Sequence, residues 1–144
     1  MNIFPFNDNW RYHLVHEEDN RVEITLPHDA MIHENRSPDS AGGFNNSWFE
    51  TFDYVYEKAF FVPKAYSDRL VFLEFEGVYQ NAEIHVNDKK VGSHAYGYTG
   101  FHVEITSCLD FDRQNYLKVV VKNADQPNSR WYSGAGIYRN VWLK

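Results

Sequence analysis

The sequence predicts an all-β fold, an antiparallel two-layer sandwich, and three observations carry that prediction. Apolar and polar residues alternate at period two over most of the chain. Turn residues punctuate these runs about every ten residues, and no run between them is long enough for more than one turn of helix. Phe, Tyr and Trp make up 17% of the residues, and rings pack well on half-buried pleated surfaces. A single domain over residues 1–144 with one core is the expected organisation.

The strands follow in order. Residues 22–26 and 53–61 are the first two. In 69–76, Val71, Leu73 and Phe75 point one way while Phe72, Glu74 and Glu76 point the other. In 81–86, Ala82, Ile84 and Val86 alternate with Glu83 and His85; Asn87-Asp88 then turns the chain into 90–92 as a hairpin. Residues 100–105 form the next strand, and 106–111 holds the best helical signal, one turn at most. In 116–121, Leu117, Val119, Val120 and Val121 suggest a strand covered on both faces. Residues 137–143 close the series.

The charge balance excludes whole classes of partner. Net charge is −6, and the 14 basic residues are scattered with no stripe to follow a phosphate backbone, which argues against nucleic acid. A net acidic surface argues equally against anionic membranes. The single cysteine, Cys108, leaves no internal disulfide and reads as a small buried hydrophobe. The first residues, MNIFPFNDNW, show no basic segment followed by an apolar one, so no signal peptide is visible. The compartment, cytoplasmic or periplasmic and secreted, stays open.

Several motifs are weaker than they look. Ser133-Gly134-Ala135-Gly136 fails as a nucleophile elbow, because Trp131 and Ala135 stand where glycines are needed, and reads as a glycine turn for close backbone approach. Glu74 and Glu76, i and i+2 on a strand, lie roughly 6.5–7 Å apart, near the spacing of an inverting glycosidase. Neighbours on one strand do not approach a sugar from opposite sides, so they read as the polar face of a half-exposed strand. His13 and His16, beside Glu17 and Glu18, fall on opposite faces at period two and make no metal site. His28 ends a strand in a polar corner, with Asp29 as its expected partner. Asn45-Asn46-Ser47 and Asn35-Arg36-Ser37 meet the glycosylation pattern by chance.

Two stretches break the rhythm, 27–48 and 124–136, and long irregular loops in a compact domain tend to carry function. In the second, Asp125, Gln126, Asn128, Ser129 and Arg130 set donors and acceptors beside the flat face of Trp131. Sugars ask for that pairing of polar contacts with a ring, although a self-capped surface loop, Arg130 pairing with Asp125, fits equally well.

The order of residues then becomes specific. RWYSGAGIYRNV (130–141), FNDNW (6–10), LPHDA (26–30) and FEGVYQNAEIHVNDKKVGSHAYGYTGFHVEIT (75–106) together resemble the N-terminal sugar-binding domain of family 2 glycoside hydrolases. NSRWYSGAGIYR is most similar to the β-galactosidase branch. The resemblance implies a jelly-roll-like sandwich, galactose-binding-domain-like, ahead of an immunoglobulin-like domain and a catalytic barrel of the same chain. It places the acid/base and nucleophile glutamates of a retaining mechanism in that barrel, so this chain carries no catalytic residue.

The resemblance further implies that loops 42–48 and 125–131 reach the rim of the active site. The substrate-binding set is then Asn45, Asn46, Asp125, Asn128, Ser129, Arg130 and Trp131, for a β-galactoside or related sugar. Tyr138 and Arg139 are expected to fix the last strand. Some family members carry an acidic residue just before the Trp that touches sugar and helps hold sodium; here Asn128-Ser129-Arg130 stands there instead. No cofactor is expected in this domain, a sodium or magnesium ion in the full enzyme is allowed, and homo-oligomers stay open. The alternatives are a free-standing carbohydrate-binding module and a purely structural domain of a β-glucuronidase- or β-mannosidase-like enzyme.

Overall fold

Alternation over so many short segments leaves each strand with one apolar edge to hide, and two facing sheets hide them all. The computed structural model describes residues 2–126, 128–129 and 132–144. Among these, ten strands form two antiparallel sheets. The strands are β1 (Phe4–Pro5), β2 (Trp10–Leu14), β3 (Val22–Ile24), β4 (Tyr54–Phe61), β5 (Phe72–Phe75), β6 (Ala82–Val86), β7 (Lys89–His94), β8 (Phe101–Glu104), β9 (Gln114–Val121) and β10 (Val141–Leu143). One sheet runs β1-β10-β5-β8 and the other β3-β2-β4-β9-β6-β7.

The predicted faces pack as expected. Val71, Leu73 and Phe75 from one sheet meet Ala82, Ile84, Val86, Leu117, Val119 and Val121 from the other in a single buried cluster. Trp10 is fully buried and its indole N–H donates to the Phe6 carbonyl at 2.7 Å, so the polar end of the ring costs nothing. Asn87 and Asp88 take φ of +49° and +66°, the two left-handed residues that a tight β6–β7 hairpin requires.

The polar pairs found in the sequence have structural partners. Glu74 binds the Lys144 ammonium at 2.5 Å and lies 3.5 Å from His102; Glu76 accepts from the Trp142 indole at 2.6 Å and lies 3.4 Å from Arg139. Both therefore lace β5 to its neighbours on the outer face. His13 is buried, with Nδ1 2.6 Å from the Leu14 carbonyl and Nε2 2.8 Å from Glu57. Cys108 is half-buried and packs against the core.

Three expectations are corrected. The 116–121 run is not covered on both faces: Tyr116 is 61% exposed, and Lys118 is exposed too. Its branched residues serve a central position instead, since β9 pairs with both β4 and β6. The last strand begins at Val141 rather than 137, because 134–137 is committed to crossing between layers. Ala135 O accepts from Ala30 N at 2.8 Å, Ile137 O from His28 N at 2.9 Å, and Gly136 exchanges two 2.9 Å bonds with Tyr79. Strands β1 and β2 were absent from the pattern: β1 has two residues, and in β2 the buried His13 breaks the alternation.

Candidate functional site

The two irregular stretches end up against each other. In the first, a 3-10 turn at Gly43–Asn46 is stopped by Ser47 and Trp48, both at positive φ, which reverses the chain and drives Asn46 inward. Asn46 is completely buried. Its Nδ2 donates to Gln126 Oε1 at 2.6 Å, and its Oδ1 accepts from the Ser133 hydroxyl at 3.4 Å. The amide thus clamps both flanks of the second loop.

That second loop hangs from Asp53, whose Oδ1 accepts the backbone N–H of Asn123 at 2.8 Å and of Ala124 at 2.9 Å. Asn123, 1% exposed, donates to Gly134 O at 3.2 Å, and its Oδ1 accepts from Gln126 at 3.1 Å and Asn128 at 3.0 Å. The Tyr79 hydroxyl then donates to Asn128 Oδ1 at 2.7 Å. Tyr79 is 2% exposed; burial raises its pKa, while hydrogen bonds from Ser133 and Ser129 work in the other direction. A chain of amides and one phenol therefore ties the loop to the buried face beneath it.

Asp29 performs the same service for the crossing segment. Its Oδ1 accepts from Met31 N and Ala135 N, each at 3.0 Å, and its Oδ2 accepts from the Tyr132 hydroxyl. Occupied by these donors, Asp29 is not the partner of His28. His28 Nδ1 lies 2.7 Å from the Tyr56 hydroxyl, with its ring 4.5 Å from Tyr12 and stacked 5.4 Å from His33. Burial, then repulsion from His33, lowers its pKa to about 4 against the opposing pull of Asp29.

The proposed contact residues divide by placement. Asp125 and Asn128 are exposed, Ser129 and Asn45 half-buried, and Asn46 sits beneath the surface as a brace. Arg130 and Trp131 lie outside the described residues. The rings of Phe44 and Trp48 stand exposed on the first loop, and Tyr96 and Tyr98 on the β7–β8 loop. Tyr138 donates to the Gly97 carbonyl and Arg139 meets Glu76, so both hold backbone elements in place. Tyr79, Asn123 and Asp53 escaped the sequence reading as site residues, and Gln126, noted there among the loop's donors and acceptors, was left out of the substrate-binding set. The amide density around 123–128 was the available signal for Asn123; nothing in the pattern marks Tyr79 or Asp53.

Comparison with known proteins identifies the family. Residues 10–137 match the family model for the glycosyl hydrolase 2 galactose-binding domain-like domain. The chain belongs to that family. This glycosyl hydrolase 2 domain is 41% identical to Beta-galactosidase BoGH2A of Bacteroides ovatus, over 96% of this chain and 17% of that protein. It is 29% identical to a putative beta-glucuronidase of Formosa agariphila, over 96% of this chain and 14% of that protein. It superposes on the crystal structure of a glycosyl hydrolase family 2 member from Bacteroides cellulosilyticus with TM-score 0.91 and 33% identity, covering all of this chain and 20% of that one. The domain thus spans a fifth or less of the length of these relatives.

Proposed function

We infer that this domain serves a retaining β-galactosidase-like enzyme as its non-catalytic N-terminal unit, with its loop cluster forming part of the rim around the terminal sugar. The observation that carries the reading is the Asn46–Gln126 contact at 2.6 Å, which binds the two irregular loops into one preorganised surface. That surface offers Asp125, Asn128 and Ser129 as polar contacts for sugar hydroxyls, with Arg130 and Trp131 in the same loop. The family resemblance assigns acid/base and nucleophilic work to a barrel domain of the full enzyme, and Asp29 and Asp53 here serve backbone N–H groups instead. A galactoside is the favoured substrate on the 41% identity to a β-galactosidase over 96% of this chain.

No ion enters this reading. A hard cation needs several oxygen ligands, and among the described residues of 125–129 only Asp125 brings a carboxylate, while the neighbouring Asn123 oxygen already accepts two protein donors. These residues do not fit a sodium or magnesium site by themselves.

The same reading assigns a partner to an apolar groove of about 410 Å³. Phe4, Phe61, Tyr66, Leu70 and Leu143 line it. Phe61 is 57% and Leu70 65% exposed, large apolar surfaces of the kind that mark a contact. The neighbouring immunoglobulin-like domain of the full enzyme is the proposed occupant.

The test is hydrolysis by the full-length enzyme of methyl β-galactoside against methyl β-glucuronide. The galactoside should be preferred by at least about tenfold in kcat/KM, as expected where buried polar groups select a sugar substituent. Preference for the glucuronide would overturn the assignment.

A further inference from the structure

A second aromatic feature stands beside the amide loop. The β7–β8 loop, residues 95–100, is held from below by two tyrosines. Tyr138 donates to the Gly97 carbonyl, and the Tyr79 ring packs so closely on Gly97 that a Cβ there would lie 2.0 Å from it. Only glycine lets the backbone come this near. The consequence is a rigid loop with its own rings turned outward: Tyr96 is 74% and Tyr98 58% exposed.

Tyr98 is tied into the same network as the amides. Its ring centroid lies 5.4 Å from that of Tyr79, the two rings tilted by 57°. The Tyr79 hydroxyl donates to Asn128 Oδ1 at 2.7 Å. One buried ring therefore separates an exposed aromatic face from the exposed amide proposed to touch the terminal sugar. A fixed ring beside fixed donors and acceptors suits a pyranose, whose C–H face stacks while its hydroxyls bond.

We propose that Tyr98 is the stacking platform of a second saccharide subsite, which takes the sugar unit next to the one held at Asn128. The assignment rests on the rim reading given under Proposed function. Its role is binding: Tyr79 and Gly97 fix the ring, and the ring presents a low-entropy apolar face that needs no rearrangement when an oligosaccharide arrives. A methyl glycoside has no second sugar ring and makes no use of it.

The experiment compares lactose with methyl β-galactoside in the full-length enzyme, for wild type, Tyr98→Ala, Tyr98→Leu and Tyr98→Phe. Loss of the aromatic face in the Ala and Leu variants should raise KM for lactose about 3- to 10-fold more than KM for the methyl glycoside. Tyr98→Phe should stay within about twofold of wild type on both, because the stacking face remains. Equal effects on the two substrates, or none, would overturn the platform. Asn128→Ala is measured alongside: slower methyl β-galactoside hydrolysis there, with no discrimination in Tyr98→Ala, removes the platform alone. If Asn128→Ala changes nothing, or the enzyme ignores galactosides, the rim reading falls and the platform with it.

Discussion

The carboxamides of Asn46 and Gln126, eighty positions apart in sequence, meet at 2.6 Å with Asn46 wholly buried. Each loop is irregular by itself, yet the contact makes one surface of two. Because Asn46 also accepts from Ser133, its removal takes one partner each from two half-buried side chains. Asn46→Ala should cost about 1–3 kcal/mol in denaturant unfolding. A double-mutant cycle with Gln126→Ala should give a coupling of about 1 kcal/mol. Strict additivity would show that the loops are held independently.

Gly136 takes φ of +112°, and a Cβ there would sit 2.1 Å from the Tyr56 hydroxyl. Backbone strain and a clash with a fully buried ring act together. Gly136→Ala should lose at least about 2 kcal/mol of stability, read as a lower denaturant midpoint. A midpoint equal to wild type would mean that the crossing segment yields easily.

Sheet and core were legible in the sequence because they rest on alternation, which short-range pattern reports directly. Val71, Leu73 and Phe75, and likewise Ala82, Ile84 and Val86, point where the pattern placed them. What the pattern lacked was long-range polar pairing. Asp29 looked like a partner for His28, but its oxygens go to Met31, Ala135 and Tyr132, the last two more than a hundred residues away. Tyr79 likewise sits between strands with nothing local to mark it, and only the folded chain brings its hydroxyl to Asn128. Loops were recognisable as loops; which amide braces and which faces outward depended on burial, and Asn45 and Asn46 differ in that alone.

His28 carries a pH signature. Its pKa falls from 6.5 to about 4 in the folded state through burial and the nearby His33. The unfolded chain therefore binds this proton first as pH drops, and folding is opposed. Stability from this residue is complete above about pH 6.5 and declines as pH falls toward 4. With partial solvent screening the loss is roughly 1–2 kcal/mol. His28→Gln should flatten that part of the stability-versus-pH curve relative to wild type. An unchanged slope would remove His28 as its cause.

Leu70 and Phe61 are exposed in this domain, at 65% and 57%. Surface substitutions of this kind normally stay within about 0.5 kcal/mol. If the groove docks the next domain, Leu70→Asp and Phe61→Ser should each destabilise the full-length enzyme by about 1–3 kcal/mol, seen as a lower melting temperature. No shift would leave the groove without its proposed occupant.

The central claim is that this sandwich lends a fixed polar edge to sugar hydrolysis performed elsewhere in the enzyme. Its most direct test is kcat/KM for methyl β-galactoside in full-length enzyme bearing Asn128→Ala. The account predicts a fall of about tenfold or more at a temperature where the variant, which also loses the Tyr79 and Asn123 partners, remains folded. An unchanged kcat/KM accompanied by lowered stability would contradict it and make the domain a scaffold.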